Sequence, residues 1–174
     1  IIVWATGFDF GTGALNRMGI RGRDGLALEE YWTDGPSTYL GLACRGFPNF
    51  FFPGGPHGST GNNPRYGGDQ VDFVTDALVF MRERGDDVIE VTQAAEDRWS
   101  DMVNTYASTA PFSEASYFFG ANIPGKPIRY LLNPGGRPKL QSSIARTVAD
   151  EFRSFEFERV GADGVDRDSP VSLS

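Results

Sequence analysis

The sequence predicts an α/β fold, and three observations carry that reading. The chain opens on Ile1-Ile2-Val3-Trp4-Ala5, an apolar β-type run closed by Thr6-Gly7, which reads as a buried strand of a parallel sheet. Residues 69–84 carry apolar side chains at helical spacing. Glycine supplies 22 of the 174 residues, well above its usual ~7% share, and so marks many tight turns and close backbone approaches. The length suits a single core.

The strand at residues 1–7 comes first. Buried strands of this type rarely begin a protein, and this one lacks an initiating Met, so the sequence is expected to start inside a domain. Residues 8–37 are turn-rich, with a short helical stretch near Leu15–Met18 and an extended one near Leu26–Trp32. Two strand candidates follow, Tyr39–Ala43 and Asn49–Phe52. Residues 53–68 form a long Gly/Pro-punctuated loop, and a loop of that length inside a domain is usually functional.

The helix at 69–84 has Val71, Val74, Leu78 and Met81 on its apolar face, widened by Phe73, Ala77 and Phe80. Asp69, Asp72 and Asp76 lie early in it, Arg82 and Arg84 lie late, and Gly85 stops it, an order that complements the helix dipole. A second helix starts at Thr92 and carries Ala95, Trp99, Met102, Val103 and Tyr106. A third, capped by Ser142 or Ser143, carries Ile144, Val148, Phe152 and Phe155. Residues 108–140 are loop-dominated, residues 1–159 form one unit, and 160–174 read as a polar, flexible tail.

The net charge of −7 argues against nucleic acid as a partner, because phosphate neutralisation needs basic clusters. No apolar run approaches the ~20 residues that span a bilayer, so no membrane role is expected. One cysteine, Cys44, excludes an intrachain disulfide and suits a cytoplasmic location. One histidine, His57, excludes a multi-histidine metal site, and no zinc-type spacing occurs.

Three segments could carry chemistry. Ala5-Thr6-Gly7 at a strand end lets a phosphate or a second segment approach the backbone, and equally fits a plain strand exit. Phe50-Phe51-Phe52-Pro53-Gly54-Gly55-Pro56, running into the helix, places amide N–H groups where an electron-rich ring edge can sit; a long surface loop is the alternative. Ser116-Tyr117-Phe118-Phe119 before Gly120-Ala121-Asn122-Ile123-Pro124-Gly125-Lys126-Pro127 has the composition of a stacking lid, with Lys126 available to a phosphate, or of a packed linker. No G-x-G-x-x-G occurs.

In this order the segments resemble the C-terminal third of the Baeyer–Villiger monooxygenases, class B flavoproteins that bind FAD and NADPH. The resemblance runs from Ile1 to about Phe155 and rests on Val3-Trp4-Ala5-Thr6-Gly7-Phe8-Asp9, Gly46-Phe47-Pro48-Asn49-Phe50-Phe51, Gly55-Pro56 and the 120–127 segment. Gly-Pro-His-Gly-Ser-Thr-Gly-Asn-Asn-Pro-Arg-Tyr (55–66) looks like the branch acting on large cyclic and polycyclic ketones.

The resemblance implies the C-terminal part of a Rossmann-like FAD-binding domain, within a flavoprotein of two dinucleotide-binding domains. Thr6, Gly7, Gly55, Pro56, Asn63 and Pro64 would contact FAD. Tyr117, Asn122 and Lys126, on a mobile loop at about 112–129, would contact NADP. His57, Arg65 and Tyr66 would shape the ketone pocket. The partners implied are a ketone, O2 and the N-terminal remainder of the enzyme.

No catalytic residue is expected in this chain, because the family's arginine lies upstream; Arg21, Arg23, Arg45 and Arg65 do not match its position. Better-known members place Trp where this chain has Tyr117, which keeps a stacking face but loses the indole N–H. Two other readings stand beside the leading one: a class B enzyme oxygenating nitrogen or sulfur, and a stand-alone binding module.

Overall fold

A long helix, a short antiparallel sheet and two further helices frame the chain in a computed structural model, which describes residues 1–4, 7–58, 60–109, 115–133 and 135–160. The short helices α1 (Gly13–Arg17) and α2 (Leu28–Tyr31) precede α3 (Asn63–Arg84). Then come β1 (Val88–Val91), α4 (Gln93–Ala107), α5 (Gly136–Ala149) and β2 (Phe155–Glu158). Thr6, residues 112–114 of the expected mobile loop and residues 161–174 of the expected tail lie outside the described residues.

Helix α3 begins six residues before the predicted start. The Asn62 side chain accepts from the Arg65 N–H, and Pro64 in the first turn lacks only an N–H that no helical carbonyl would have met. Gly85, at φ 71°, ends it: the Gly85 N–H donates to Arg82 and the Asp86 N–H to Met81. The buried seam is Tyr66, Gln70, Phe73 and Ala77, whereas Val71 and Leu78, expected inside, are exposed. Helix α4 starts where predicted, with Thr92 accepting from the Ala95 N–H at 3.2 Å. Its expected face holds except at Tyr106, which is exposed.

Helix α5 starts at Gly136, not at a serine cap, because Pro138 is tolerated in a first turn. It also ends earlier than expected. Glu151 and Phe152 take positive φ and turn the chain into β2, so Phe152 and Phe155 reach the core from a turn and a strand.

The sheet that forms is not the one expected. β1 and β2 pair antiparallel, Val88 opposite Glu158 and Val91 opposite Phe155. Residues 1–4 form no strand and are exposed; among the described residues no neighbouring strand offers their backbone a ladder. Tyr39–Ala43 is a tight reversal instead: Leu40 and Gly41 both take positive φ, and Tyr39 donates to Ala43 at 2.7 Å. A Cβ on Gly41 would collide with the Gly58 backbone, so this glycine lets two loops touch.

Asn49–Phe52 likewise forms no strand. Asn49 nevertheless docks on β1, where its N–H donates to the Ile89 carbonyl and its Oδ1 accepts from the Ile89 N–H, each at 2.9 Å. Leu26–Trp32, expected extended, contains α2, whose Leu28 and Trp32 pack with Cys44, Phe47 and Phe52 in a second small core. Among the described residues no helix is long and apolar enough to cross a membrane.

Candidate functional site

The site is built where residues 7–10 meet the segment 116–127. The Ser116 side chain accepts from the Phe118 N–H at 3.2 Å and starts a 3-10 turn over Tyr117–Phe119, which Gly120 ends at φ 74°. Phe119 enters the core, so the turn is anchored on one side. Arg129 N–H donates to the Phe119 carbonyl and Leu131 N–H to that of Phe118, closing the loop at its base.

Hydrogen bonds and ring contacts seat this loop on residues 7–10. Asn122 Nδ2 donates to the Phe8 carbonyl at 3.0 Å. Lys126 Nζ donates to Asp9 Oδ1 at 2.5 Å and to the Phe10 carbonyl at 3.2 Å. The Phe10 ring meets the Tyr117 and Phe118 rings edge-on, with centroids 5.5 and 5.6 Å away. Gly7 lies beneath, and a Cβ there would stand 3.4 Å from Asn122 Nδ2.

Tyr117 keeps 39% of its surface exposed, so its ring still has area to offer a flat ligand. Lys126 is only 13% exposed in its side chain and already holds a carboxylate. In this arrangement its charge serves the protein and not a phosphate. That pairing joins residues 117 apart, which no local pattern announces.

The flavin-side residues divide into two groups. Asn63, Pro64 and Arg65 stand exposed in the first turn of α3, beside residues 53–62. Gly55, Pro56, His57 and Tyr66 turn inward. A Cβ on Gly55 would collide with the Phe52 ring, and Pro56 is buried. Tyr66 is 4% exposed and belongs to the main core.

His57 is 1% exposed, and its ring spans the Thr38 hydroxyl and the Tyr130 carbonyl, each at 3.1 Å. Facing a carbonyl, Nε2 must donate, so Nδ1 accepts from Thr38. Burial pushes the ring down to about 4, against the pull of the Tyr130 carbonyl, and keeps it neutral near pH 7. In the structure His57 ties three loops together through Thr38 and Tyr130.

A second polar centre escaped the sequence reading. Glu90 is buried on β1 directly opposite Glu156, a like-charge pair that would destabilise the sheet. Arg23 bridges Glu90 and Glu158 at 2.5 and 2.6 Å, and Arg45 bridges Glu90 and Glu156 at 3.2 and 2.6 Å. The Gly46 N–H adds a bond to Glu90 at 2.8 Å. Next to it, buried Glu96 accepts from Tyr31 Oη and the Arg45 N–H, and burial raises its pKa.

The chain is similar to segments of known monooxygenases. No family model matches the chain. It is 39% identical over 163 residues to 2-oxo-Δ3-4,5,5-trimethylcyclopentenylacetyl-CoA monooxygenase of Pseudomonas putida, covering 90% of this chain and 30% of that protein. It is 33% identical to cyclohexanone 1,2-monooxygenase of Acinetobacter, covering 91% and 29%. A solved cyclohexanone monooxygenase from Rhodococcus bound to NADP+ superposes with a TM-score of 0.85 at 36% identity, covering 90% of this chain and 30% of that one. By sequence and by fold the chain is homologous to a segment of the Baeyer–Villiger monooxygenases, and it spans about 30% of the length of the relatives it matches.

Proposed function

We propose that this chain forms the flavin- and nicotinamide-facing C-terminal part of an FAD- and NADPH-dependent Baeyer–Villiger monooxygenase, which inserts one oxygen atom of O2 into a bulky cyclic ketone to give an ester or lactone. The observation that carries the reading is the seating of the 116–127 loop on residues 7–10, with an exposed Tyr117 face, within a fold that matches an NADP+-bound relative. When bound, the flavin and nicotinamide supply the redox chemistry. The chain orients and shields.

Tyr117 offers a stacking surface, and Asn122 holds the loop against the Phe8 carbonyl. Gly7, at φ 85°, lets a ligand approach the backbone closely, and Thr6 joins it in this reading by the resemblance alone. The exposed first turn of α3 would set Asn63 and Pro64 against the flavin and bring the Arg65 cation to the ketone side. Gly55 and Pro56 hold the path of that loop from inside. The rest of such an enzyme is the partner that completes the site, and a cytoplasmic location belongs to the same reading.

The test is expression of the full reading frame that contains this chain, assayed for ketone-dependent NADPH oxidation under isotopically labelled dioxygen. A lactone carrying one labelled oxygen is expected. NADPH oxidation without an oxygenated product from any cyclic ketone would overturn the reading. A second reading, N-oxygenation, is favoured by one relative, a phenazine N-monooxygenase of Lysobacter antibioticus at 37% identity. An N-oxide formed from a phenazine, with no lactone from ketones, would select it.

A further inference from the structure

We propose that the cleft between α4 and α5 binds a small phosphoryl-bearing anion. The cleft has a volume of ≈360 Å³. Two helix faces make its walls: Ala95, Arg98, Trp99 and Met102 from α4, and Lys139, Ser143, Arg146 and Thr147 from α5, with Asp150 just past its end. These positions recur at helical spacing, so each set lies on one stripe of its helix. Tyr39 and Ser154 complete the lining.

The charge of the cleft runs against that of the molecule. The chain carries −7 overall, yet three cations, Arg98, Lys139 and Arg146, line this one hollow against the single carboxylate of Asp150. Asp150 lies 3.8 Å from Arg153. Among the described residues, none of the three cations has a carboxylate within ion-pair distance. Three like charges gathered around a single carboxylate, none of them ion-paired, repel one another, and an anion relieves that repulsion.

The floor of the cleft is part aromatic and part hydroxyl. Trp99 lines it and is 5% exposed, with its indole Nε1 closed off from solvent. Beside it, Tyr39 Oη is bonded to Thr147 Oγ1 at 2.6 Å and to Ser154 Oγ at 3.0 Å, a fixed hydroxyl floor. Arginines that can bond in forked pairs, a lysine and the Ser143 hydroxyl are the donors that a phosphoryl group, rich in acceptors, requires. A nucleic acid does not suit so small a hollow on so acidic a chain.

The inference does not depend on the monooxygenase reading, and its test uses neither flavin nor turnover. The 174-residue chain is titrated with inorganic pyrophosphate at fixed ionic strength, with calorimetry and tryptophan fluorescence as readouts. A dissociation constant below about 1 mM is expected, with chloride at equal ionic strength giving no signal. The double variant Lys139→Gln/Arg146→Gln should weaken binding at least about tenfold while leaving the circular dichroism unchanged. Trp99→Phe should abolish the fluorescence response. An ADP arm separates sources: binding comparable to pyrophosphate assigns a nucleotide diphosphate, and loss of binding assigns the free inorganic anion. Pyrophosphate binding no tighter than chloride, or binding unchanged in the double variant, overturns the proposal.

Discussion

His57 ties acid sensitivity to a single buried ring. Its unfolded value is near 6.5 and its folded value about 4, so between these pH values the unfolded chain binds the extra proton. Stability is therefore complete above pH 6.5 and drains as pH falls toward 4, by roughly 3 kcal/mol in total. Glu96 works in the opposite sense, since its raised pKa makes the native state take up a proton first. Comparison with His57→Asn isolates the histidine, because asparagine accepts the left-handed backbone at φ 66° and does not titrate. Urea midpoints should fall more steeply from neutral to acid pH in the wild type than in the variant; parallel profiles would remove His57 as the source.

At the same scale, Lys126 and Asp9 fasten the loop that presents Tyr117. Lys126→Met should raise hydrogen exchange across 117–126 by about tenfold, the equivalent of one modest charged hydrogen bond. The swap Asp9→Lys/Lys126→Asp should recover part of that protection. An unchanged exchange pattern in Lys126→Met would leave the aromatic contacts as the whole fastening. In the full enzyme, Tyr117→Ala should weaken NADPH binding about tenfold with FAD occupancy intact, as the loss of one stacking face predicts; unchanged affinity would reduce Tyr117 to packing.

Among the elements, β1 is the one most dependent on distant partners. Its Glu90 is held by Arg23 and Arg45, which reach it from loops far earlier in the chain. Removing Arg45 leaves buried Glu90 with fewer partners and Glu156 opposite it uncompensated, so Arg45→Met should cost about 3 kcal/mol. Denaturant unfolding checks this, and a midpoint shifted by less than one-tenth of the wild-type value would show Arg23 to suffice alone.

The same long reach explains what the sequence reading missed. Val88–Val91 is short, sits among carboxylates and shows its purpose only when the arginines arrive. Helix α4 was legible because Thr92 and the spacing of Ala95, Trp99 and Val103 state it locally. The starts of α3 and α5 were hidden by Gly67-Gly68 and Gly135-Gly136, which read as loop until capping and packing are known. The loop around Tyr117 was recognisable from its own residues, but its seat was not, since Asp9 lies far away in sequence.

For the whole molecule, the distribution of contacts sets what the chain can hold. Its main core joins α3, α4, α5 and the sheet. The residues assigned to FAD either support loops from inside, as Gly55 and Pro56 do, or offer exposed turns, as Asn63 and Pro64 do. The G-x-G-x-x-G turn that would cradle a diphosphate is absent from the sequence, and the net charge of −7 opposes a dianionic cofactor.

The 174-residue chain alone should therefore lose added FAD on gel filtration and emerge without flavin absorbance, while the full enzyme retains it. Weak capture of a diphosphate in the α4–α5 cleft would not alter this, because a millimolar complex dissociates on the column. If the chain alone eluted yellow with one FAD per molecule, its exposed turns would be the principal flavin anchor, and the division of labour argued for Tyr117, Asn63 and the upstream partner would have to be redrawn.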